Sequence, residues 1–278
     1  MAQGTKLGPI VFIAHVNELP SIVASPSWAF VDDLNLVESR LLSQPPNIQD
    51  DLDHLSGWTE DNSMKLNPGK CKAMVICFSR IPPPPPVLNI NGHQLTVVKV
   101  AKCLGVTFQD DLRWDTHVTE TSKKGNQRLH ILCRLRQFDL PTEDLVTVYT
   151  CYVRPVLEYA APLWHPGLTT KQRDQIERIQ RRATRIILGR KFSTYALACE
   201  VLQLQTLEER RVELCVKFAR NVLTSDLYRD WLPQSRGNVS GRETRNGNKL
   251  DYMPVRTKRF KTSPIPYLTN LLNEHVLK

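Results

Sequence analysis

The stretch that decides the fold is Trp28-Ala-Phe-Val-Asp-Asp-Leu-Asn-Leu-Val37, in which two short apolar runs flank a pair of acids. This pattern predicts a β-hairpin with Asp32 and Asp33 at its tip. Two adjacent carboxylates among apolar residues repel each other, and apolar surroundings raise the cost of ionising both. A divalent cation removes that cost, and Mg²⁺ prefers carboxylates together with substrate phosphates. The pair is therefore a candidate metal site.

Acid pairs occur elsewhere in the chain, so the pair at the predicted tip is a weak signal by itself. Asp50-Asp51 and Asp110-Asp111 are two further examples. Because such pairs are common, we expect both of these to be ordinary surface or turn charges. The weight of Asp32 and Asp33 comes from the order of the features around them.

The residues around this hairpin predict further short elements over the first 110 positions. Apolar residues at helical spacing predict an amphipathic helix over 48–60, and Asn67-Pro-Gly69 predicts a turn. The apolar run from Lys72 to Phe78 predicts a buried strand. Asn91-Gly92 is a turn signal and predicts another hairpin, which extends to Phe108.

Five consecutive prolines, Pro82 to Pro86, form a stiff segment that cannot join a strand ladder. The segment must therefore be a surface connector. Two interpretations of it remain open, a rigid loop and a ligand for a proline-binding module. The second would make the chain an adaptor between proteins.

The period of the apolar residues changes from 2 to 3.6 after residue 113, which predicts an all-helical region. The predicted helices span residues 115–137, 142–160, 171–188 and 194–224. Beyond Pro233 the chain is polar and rich in Gly, Asn and Arg up to Asn248, which predicts a flexible link. A short apolar segment, Ser263 to Asn273, follows it.

The formal net charge of +9 is distributed unevenly along the chain. Residues 1–168 carry 15 Lys+Arg against 17 Asp+Glu, whereas residues 169–278 carry 22 against 11. This excess of positive charge favours a polyanionic partner contacted by the second part. A solvated basic tail would explain the same charge equally well.

The helix predicted over 171–188 is the best candidate for binding such a partner. One face carries the apolar residues Ile176, Ile179, Ala183, Ile186 and Ile187. The opposite face carries four arginines, Arg178, Arg181, Arg182 and Arg185. Guanidinium groups in a row can hold phosphates while the isoleucines face the core. The alternative is a basic face that contacts only water.

The cysteines and the apolar segments exclude several classes of protein. The seven cysteines are scattered and lack CxxC spacing, which favours buried thiols in a reducing compartment over a disulfide framework or a zinc site. The apolar run Pro9 to Ala14 is too short to span a bilayer, which takes about 20 residues. A weak signal-peptide core is the other interpretation of this run. We expect an intracellular protein, nuclear or cytoplasmic, with no membrane partner.

Several motifs occur in a fixed order: Gln3-Gly-Thr-Lys-Leu-Gly-Pro9, Asn17-Glu-Leu-Pro20, Phe30-Val-Asp-Asp33, Leu66-Asn-Pro-Gly-Lys-Cys-Lys72 and Lys102-Cys-Leu-Gly-Val-Thr-Phe108. This order resembles the palm of the reverse transcriptases of non-long-terminal-repeat (LINE-type) retrotransposons. Residues similar to the thumb and trailing region of these elements follow, in 152–164, 176–183, 256–260 and 263–266. The resemblance covers nearly the whole chain.

The resemblance implies an α+β fold with three parts. These are a partial palm of antiparallel hairpins and helices over 1–110, an all-helical thumb over 111–232, and a flexible basic tail over 233–278. It also implies RNA-directed DNA synthesis, with an RNA template and a DNA primer as partners. Asp32 and Asp33 would bind the two Mg²⁺ ions that polymerases use.

The resemblance also assigns roles to residues outside the acid pair. Gln3 and Gly4 would line the nucleotide pocket, and the four arginines would grip the RNA–DNA hybrid. Lys70 would contact the triphosphate or protonate the leaving pyrophosphate, although a water-exposed turn lysine is the alternative. Apart from the resemblance, the aromatic rings of Tyr159 and Trp164 could stack on bases, although aromatic residues at a helix end more commonly belong to the core.

The sequence departs from the family's pattern before Gln3. The family's palm needs a third carboxylate on an earlier strand, together with the fingers, and both precede this segment. We therefore expect a carboxy-terminal fragment that does not polymerise DNA alone. The alternatives are a non-catalytic nucleic-acid-binding protein and an inert remnant of a decayed element. No obligate protein partner is evident, and the replacement of the family's usual alanine by Val31 is expected to matter little.

Overall fold

The computed structural model describes residues 7–41, 43–241 and 245–277, and the chain divides into two compact units. The first unit runs to Ala101 and includes Gln109–Leu112. The second comprises Lys102–Phe108 and the residues from Arg113 onward. Helices and short strand pairs occur together, so the α+β class expected from the sequence is confirmed.

The first unit contains three helices and short strands among its described residues. The helices are α1 (Leu7–Val16), α2 (Leu19–Ile22) and α3 (Ile48–Asp61). The strands are β1 (Ser27–Phe30), β2 (Asp33–Leu36), β3 (Lys72–Ala73), β4 (Asn89–Ile90), β5 (His93–Gln94) and β6 (Thr96–Val97). A hairpin shared by both units follows, with β7 (Val100–Cys103) and β8 (Val106–Gln109).

The strands of the first unit pair only two at a time. β1 with β2 and β4 with β5 are antiparallel hairpins, whereas β3 and β6 pair in parallel. The turn Asn91-Gly92 joins β4 and β5 with φ values of 50° and 76°, the double left-handed conformation of a type I′ turn. The predicted helix at 48–60 is α3, and the Asn-Gly turn is confirmed. The hairpin does not extend to Phe108, because Val97 pairs with Ala73, and β7 and β8 form a separate strand pair.

The prediction of a buried strand from Lys72 to Phe78 is wrong. Only Lys72–Ala73 pairs with a neighbour, and the neighbouring strand β6 is itself two residues long. The side chains of Ile76 and Phe78 are 48% and 54% exposed. An apolar run is buried as a strand only where other elements cover it, and this segment lacks such cover.

The apolar core of the first unit is small. Leu52 of α3 packs with Leu88, Ile90 and Leu95, and partly buried residues such as Leu36 surround them. Helix α1 has a different environment, since Leu7 and Ile10 are 66% and 63% exposed and its only buried residue is Val16.

The second unit is helical. Its α-helices are α4 (Asp115–Gln137), α5 (Thr142–Val148), α6 (Arg154–Glu158), α7 (Ala161–Trp164), α8 (Thr170–Leu188), α9 (Tyr195–Val201), α10 (Leu207–Thr224), α11 (Arg236–Ser240), α12 (Lys258–Lys261) and α13 (Pro264–His275). A π-helical turn, Tyr149–Val153, joins α5 to α6, and 3₁₀ turns occupy His165–Gly167, Gly189–Lys191 and Arg229–Trp231. None of the helices in the described residues is long and apolar enough to cross a membrane.

The core of the second unit is built on α4 and α8, which lie side by side and run in the same direction. Gln172 donates to Asp115 near their first turns (2.8 Å), and Arg182 donates to Asn126 further along (3.3 Å). Between these contacts, a Cβ atom on Gly125 would lie 2.8 Å from the side chain of Leu157. Glycine therefore permits the close approach of the elements that pack on α4.

The helix predicted over 194–224 is interrupted. Residues 202–206 separate α9 from α10, and Gln203 has a φ of 52°, which ends the first helix. Thr206 and Glu209 form a capping box that begins α10. The spacing Thr-x-x-Glu is a helix start signal in the sequence. The apolar periodicity continues across it, and a single uninterrupted helix was therefore predicted.

The segment predicted as a flexible basic tail, 233–278, includes helix α13. Helix α13 packs on α10, and a second apolar cluster there buries Leu250, Leu268 and Leu272 together with Cys215 and Ala219. The apolar residues of the segment 263–273 thus have a partner that is distant in sequence.

Candidate functional site

The acid pair lies at the tip of the hairpin formed by β1 and β2, as the sequence predicted. Phe30 pairs with Asp33, so Val31 and Asp32 are the two turn residues. Val31 has a φ of 58°, the left-handed conformation that favours glycine at the first position of such a turn. A β-branched side chain is unfavourable in this conformation, so Val31 strains the turn. The replacement of alanine by valine here was expected to matter little. We call β1, β2 and this turn the acid hairpin.

The carboxylates of the acid hairpin are available to a cation. Asp32 and Asp33 are exposed, and among the described residues neither side chain makes a hydrogen bond or an ion pair. Carboxylate oxygens are ligands that Mg²⁺ prefers, so the pair fits that ion chemically. Within the described parts of the chain, no group of three or more His, Cys, Asp or Glu side chains could hold a metal. The pair can therefore supply only part of a ligand set.

The base of the acid hairpin is held by Asp51, an acid that was expected to be an ordinary surface or turn charge. Asp51 of α3 is 3% exposed, and its two carboxylate oxygens accept from the backbone N–H groups of Ala24 (2.7 Å) and Ser25 (3.1 Å). The expectation of an ordinary surface or turn charge is wrong for Asp51, whereas Asp50 is exposed. A signal was present, since the spacing from Ile48 and Leu55 places Asp51 on the apolar face of α3.

The hydrogen bonds determine the charge state of Asp51. Burial alone raises the pKa of its carboxyl group. Hydrogen bonds from the Ser25 side chain and from the backbone N–H groups of Ala24 and Ser25 lower the pKa, and together they outweigh the effect of burial. Nearby His54 acts in the same direction. The pKa of Asp51 therefore lies below its ordinary value, and the buried group is a carboxylate at neutral pH.

Lys70 lies in the turn that Asn67-Pro-Gly69 predicted. The backbone N–H groups of Lys70 and Cys71 both donate to the carbonyl of Asn67, at 3.0 and 3.2 Å. The Lys70 side chain is exposed and makes no ion pair within the described chain. Its role toward a triphosphate stays a prediction. Gln3 and Gly4 lie outside the described residues.

Helix α8 has the two faces that its sequence predicted. Ile176, Ile179, Ala183 and Ile187 are at most 2% exposed, and Ile186 packs against the same core. The side chains of Arg178, Arg182 and Arg185 are exposed, and Arg181 is half-buried. Two residues outside the periodic pattern help to begin this helix, because Thr169 and Gln172 form a capping box.

The four arginines differ in their contacts. Arg178 and Arg181 lie 2.7 and 4.0 Å from the carboxylate of Asp174. Arg182 donates to the amide oxygen of Asn126, and Arg185 lies over the ring of Phe192 at 5.0 Å. Neither Arg182 nor Arg185 makes an ion pair within the described residues. Asp174 thus offsets charge at one end of the arginine face but not at the other.

The two aromatic candidates for base stacking have structural roles. Trp164 is fully buried, and its ring N–H donates to the carbonyl of Tyr159 (2.8 Å), so it belongs to the core. The ring of Tyr159 is 54% exposed, but its hydroxyl donates to the carbonyl of Leu104 (2.7 Å) and it covers Gly105. Tyr159 therefore holds the turn of the β7–β8 hairpin.

Two buried histidines of the second unit were not found from the sequence. The Nδ1 atom of His117 accepts from the backbone N–H of Thr107 at 3.3 Å, and that of His165 accepts from Nε of Arg211 at 3.3 Å. Burial lowers the pKa of both rings, and for His165 burial and the charge of Arg211 lower it to about 3. Both rings are therefore neutral acceptors at neutral pH; the ring of His117 packs against Trp164, and that of His165 packs against Tyr267.

The homologues of this chain are RNA-directed DNA polymerases of non-long-terminal-repeat retrotransposons, which confirms the resemblance of its motifs. The chain is 26% identical over 198 residues to a probable RNA-directed DNA polymerase from transposon BS of Drosophila melanogaster, an alignment that covers 66% of this chain and 22% of that protein. It is 25% identical over 248 residues to the probable RNA-directed DNA polymerase from transposon X-element of the same organism (86% and 26% covered). The polymerase from the mobile element jockey of Drosophila funebris is 24% identical over 174 residues (58% and 19% covered).

The chain spans about a quarter, or less, of the length of these relatives. A family model described as "Alkylated DNA repair protein alkB homolog 8, N-terminal" matches residues 114–153 only, which comprise α4, α5 and the π turn. No solved structure matches the chain.

Proposed function

We propose that this chain supplies the metal-binding hairpin and a nucleic-acid-binding helical region of an RNA-directed DNA polymerase. The first unit corresponds to part of the palm and the second to the thumb. The observation that carries the proposal is the exposed acid pair at the tip of a two-residue hairpin turn, free of internal cation partners, in a chain whose homologues are such polymerases. Its nucleic-acid ligand is an RNA template paired with a DNA primer.

Asp32 and Asp33 act by supplying carboxylate oxygens to Mg²⁺. Mg²⁺ held there would supply the Lewis-acid chemistry that activates a primer hydroxyl and stabilises the leaving oxygen. Lys70, exposed in its turn, supplies a positive charge and a proton to the departing pyrophosphate. Exposure to solvent suits all three side chains, because each must reach phosphates that lie outside this chain.

We also propose that the chain by itself does not polymerise DNA. Two consecutive acids in one turn cannot hold two ions about 4 Å apart in the geometry that the reaction needs, and no third acid joins them in the described structure. The purified chain should therefore give no extension of a primed RNA template with dNTPs and Mg²⁺. Extension that Asp32→Ala abolishes would show that the chain is a complete catalyst.

Metal binding is tested separately from catalysis, with Mn²⁺ as the probe. Paramagnetic broadening of amide NMR signals should be greatest at residues 31–34 and should disappear in Asp32→Asn/Asp33→Asn. Glu60→Gln, which removes an exposed acid from α3, is the matched control and should change nothing. Broadening that persists in the double variant would show that Asp32 and Asp33 are not the metal ligands.

Phosphate binding by α8 is the second part of the proposal, and the structure allows a sharper test than removal of all four arginines. Asp174 already compensates part of the charge of Arg178 and Arg181, whereas Arg182 and Arg185 have no acid beside them among the described residues. A phosphate therefore gains more from the second pair. Binding should be independent of sequence and should weaken with salt by about 0.9 log units per log salt for each B-DNA phosphate neutralised.

The matched variants are Arg182→Gln/Arg185→Gln and Arg178→Gln/Arg181→Gln. Titration of an RNA–DNA hybrid at several salt concentrations should show a slope flatter by roughly 1–2 units for the first variant and by less for the second. Asp174→Asn should strengthen binding. Circular dichroism checks the fold of each variant. If the salt dependence of binding is unchanged in all three folded variants, the arginines contact only water and do not bind phosphates.

A further inference from the structure

The acid hairpin has little support of its own. A two-stranded ribbon is marginally stable in isolation, and this one pairs with no third strand in the described structure. Its two aromatic side chains, Trp28 and Phe30, are 56% and 61% exposed. Packing therefore does not fix the tip that carries Asp32 and Asp33.

The hairpin is held at its base, where the chain enters and leaves. Val37 N–H donates to the carbonyl of Pro26 at 2.9 Å and closes the base. Leu36 packs against the small apolar core, and Ser27 Oγ donates to the carbonyl of Pro20 at 3.3 Å. A further contact is the pair of hydrogen bonds that Asp51 accepts from Ala24 and Ser25, immediately before β1.

Asp51 differs from the other contacts because its own position is fixed. Its neighbours Leu52 and Leu55 are 8% and 3% exposed on the buried face of α3. Two residues earlier, Gln49 exchanges two side-chain hydrogen bonds with the backbone of Asn89, at 3.0 and 2.9 Å. A charged carboxylate that binds two successive N–H groups, one with each oxygen, sets both the distance and the orientation of the backbone it holds.

The geometry of a strand amplifies any error at the base. Four strand residues at about 3.3 Å each place the tip roughly 13 Å from the base, so a tilt of about 10° moves the tip by roughly 2 Å. A misplacement of a catalytic group by about 1 Å can reduce a rate about 100-fold. The direction of the hairpin therefore decides whether its acids are placed usefully.

We infer that Asp51 is the positioning residue of the acid hairpin: by clamping the N–H groups of Ala24 and Ser25 it sets the direction in which Asp32 and Asp33 project. The inference deepens the proposed function, because the value of a fixed direction rests on the acid pair being a metal ligand. Both carboxylate oxygens of Asp51 are engaged by backbone N–H groups, so we do not assign it as a ligand. It acts through the backbone.

The first test compares Asp51→Asn with Asp50→Asn, which removes a charge from the exposed neighbouring residue. Hydrogen exchange followed by NMR reports each amide. In Asp51→Asn, the amides of Ala24, Ser25 and the β1–β2 ladder should exchange at least about 10-fold faster, while Leu55 and Thr59 in α3 keep their rates. Asp50→Asn should leave all of these rates unchanged.

Two exchange results would overturn the inference. Unchanged hairpin rates in Asp51→Asn would mean that the clamp does not hold the hairpin. Equal acceleration in the hairpin and in α3 would mean that Asp51 only stabilises the unit as a whole. Asp51→Ala, which removes both acceptors, should widen the difference between hairpin and helix.

The second test is a Mn²⁺ titration of the same variants, read as broadening at Asp32 and Asp33. Asp51→Asn should weaken Mn²⁺ binding several-fold more than Asp50→Asn does. Equal weakening by both would mean that only charge at a distance matters, and it would overturn the inference. Absence of broadening in the unsubstituted chain would instead refute the proposed metal site, and the exchange data would still decide the role of Asp51 in holding the hairpin.

Discussion

The two units differ in how they bury their apolar residues. In the second, Trp164, Tyr149, Leu129 and Ile176 are fully buried in a core that several helices share. In the first, the core cluster has four buried residues, and large apolar side chains such as Leu7, Trp28 and Phe30 are more than half exposed. The candidate catalytic acids thus belong to the unit with less internal support, and they depend on specific polar contacts such as the Asp51 clamp.

The largest expected consequence is a difference in local stability. Amides in α4 and α8 should exchange at least about 100-fold more slowly than the most protected amides of the first unit, because opening those helices exposes far more apolar surface. Hydrogen exchange at neutral pH, followed residue by residue, measures this. Equal protection in the two units would mean that they unfold together and that the difference in burial has no energetic consequence.

The second expected effect is that of a single core substitution. Leu157→Ala in the second unit should lower the free energy of unfolding by about 2–5 kcal/mol, because Leu157 is fully buried. Phe30→Ala in the first unit should change it by less than about 0.5 kcal/mol, because the ring is mainly exposed. Urea denaturation of each variant gives both values.

Gly125→Ala sharpens this second prediction. The new methyl group would meet Leu157 at 2.8 Å, so the substitution should cost about 1–3 kcal/mol in the native background. It should cost less when combined with Leu157→Ala, since the clashing atom is then absent. Additive effects in the double variant would contradict the contact.

The pH dependence of the second unit provides a third test. The pKa of His117 and of His165 is lower in the folded chain than the ordinary value of about 6.5, so below that pH the unfolded state binds protons that the folded state excludes. Each ring should therefore reduce stability by up to about 1.4 kcal/mol per pH unit as the pH falls below about 6.5, and for His165 this continues to about pH 3. Above pH 7 the loss is absent.

Urea denaturation of the whole chain at pH 7.5 and 5.5, monitored by the circular dichroism of its helices, measures this loss of stability. His165→Gln should reduce the pH dependence. His130→Gln, which replaces an exposed histidine on α4, should leave it unchanged. Equal stability at the two pH values would show that the buried rings accept protons without cost.

The smallest expected effect lies in the acid hairpin. Val31→Gly should stabilise the β1–β2 pair by up to about 1 kcal/mol, because the relief of a left-handed valine exceeds the entropy that glycine loses on folding. Val37→Gly, at an equally exposed valine without positive φ, should destabilise the hairpin by about 0.5–1 kcal/mol. Exchange rates of the ladder amides distinguish the two. Faster exchange in both variants would show that Val31 is not strained.

Patterns local in sequence predicted much of this structure. Phe30-Val-Asp-Asp33 predicted a hairpin tip, and the arginine and isoleucine spacing of 171–188 predicted both faces of α8. In each case residues within a few positions of one another determine the result, through turn geometry or helical period.

The failures concern contacts between distant residues. The burial of Asp51 depends on two N–H groups 26 and 27 positions earlier. The neutrality of His165 depends on its burial and on the charge of Arg211, 46 positions later. The strand expected at 72–78 failed for the same reason, because covering both faces of a strand is a property of its neighbours. Periodicity specifies a face but does not identify what lies against it.

The π-helical turn at Tyr149–Val153 keeps a run of side chains in phase. Leu145, Tyr149, Val153 and Leu157 are spaced four apart and are all fully buried. On a regular α-helix a spacing of four drifts by about 40° at each step, so the last of them would rotate about 120° away from the first. A wider turn takes up one extra residue and cancels part of that drift. Deleting one residue of this turn would leave Leu145 and Leu157 eleven residues apart on an ordinary helix, only about 20° out of phase, so Leu157 should still face Gly125.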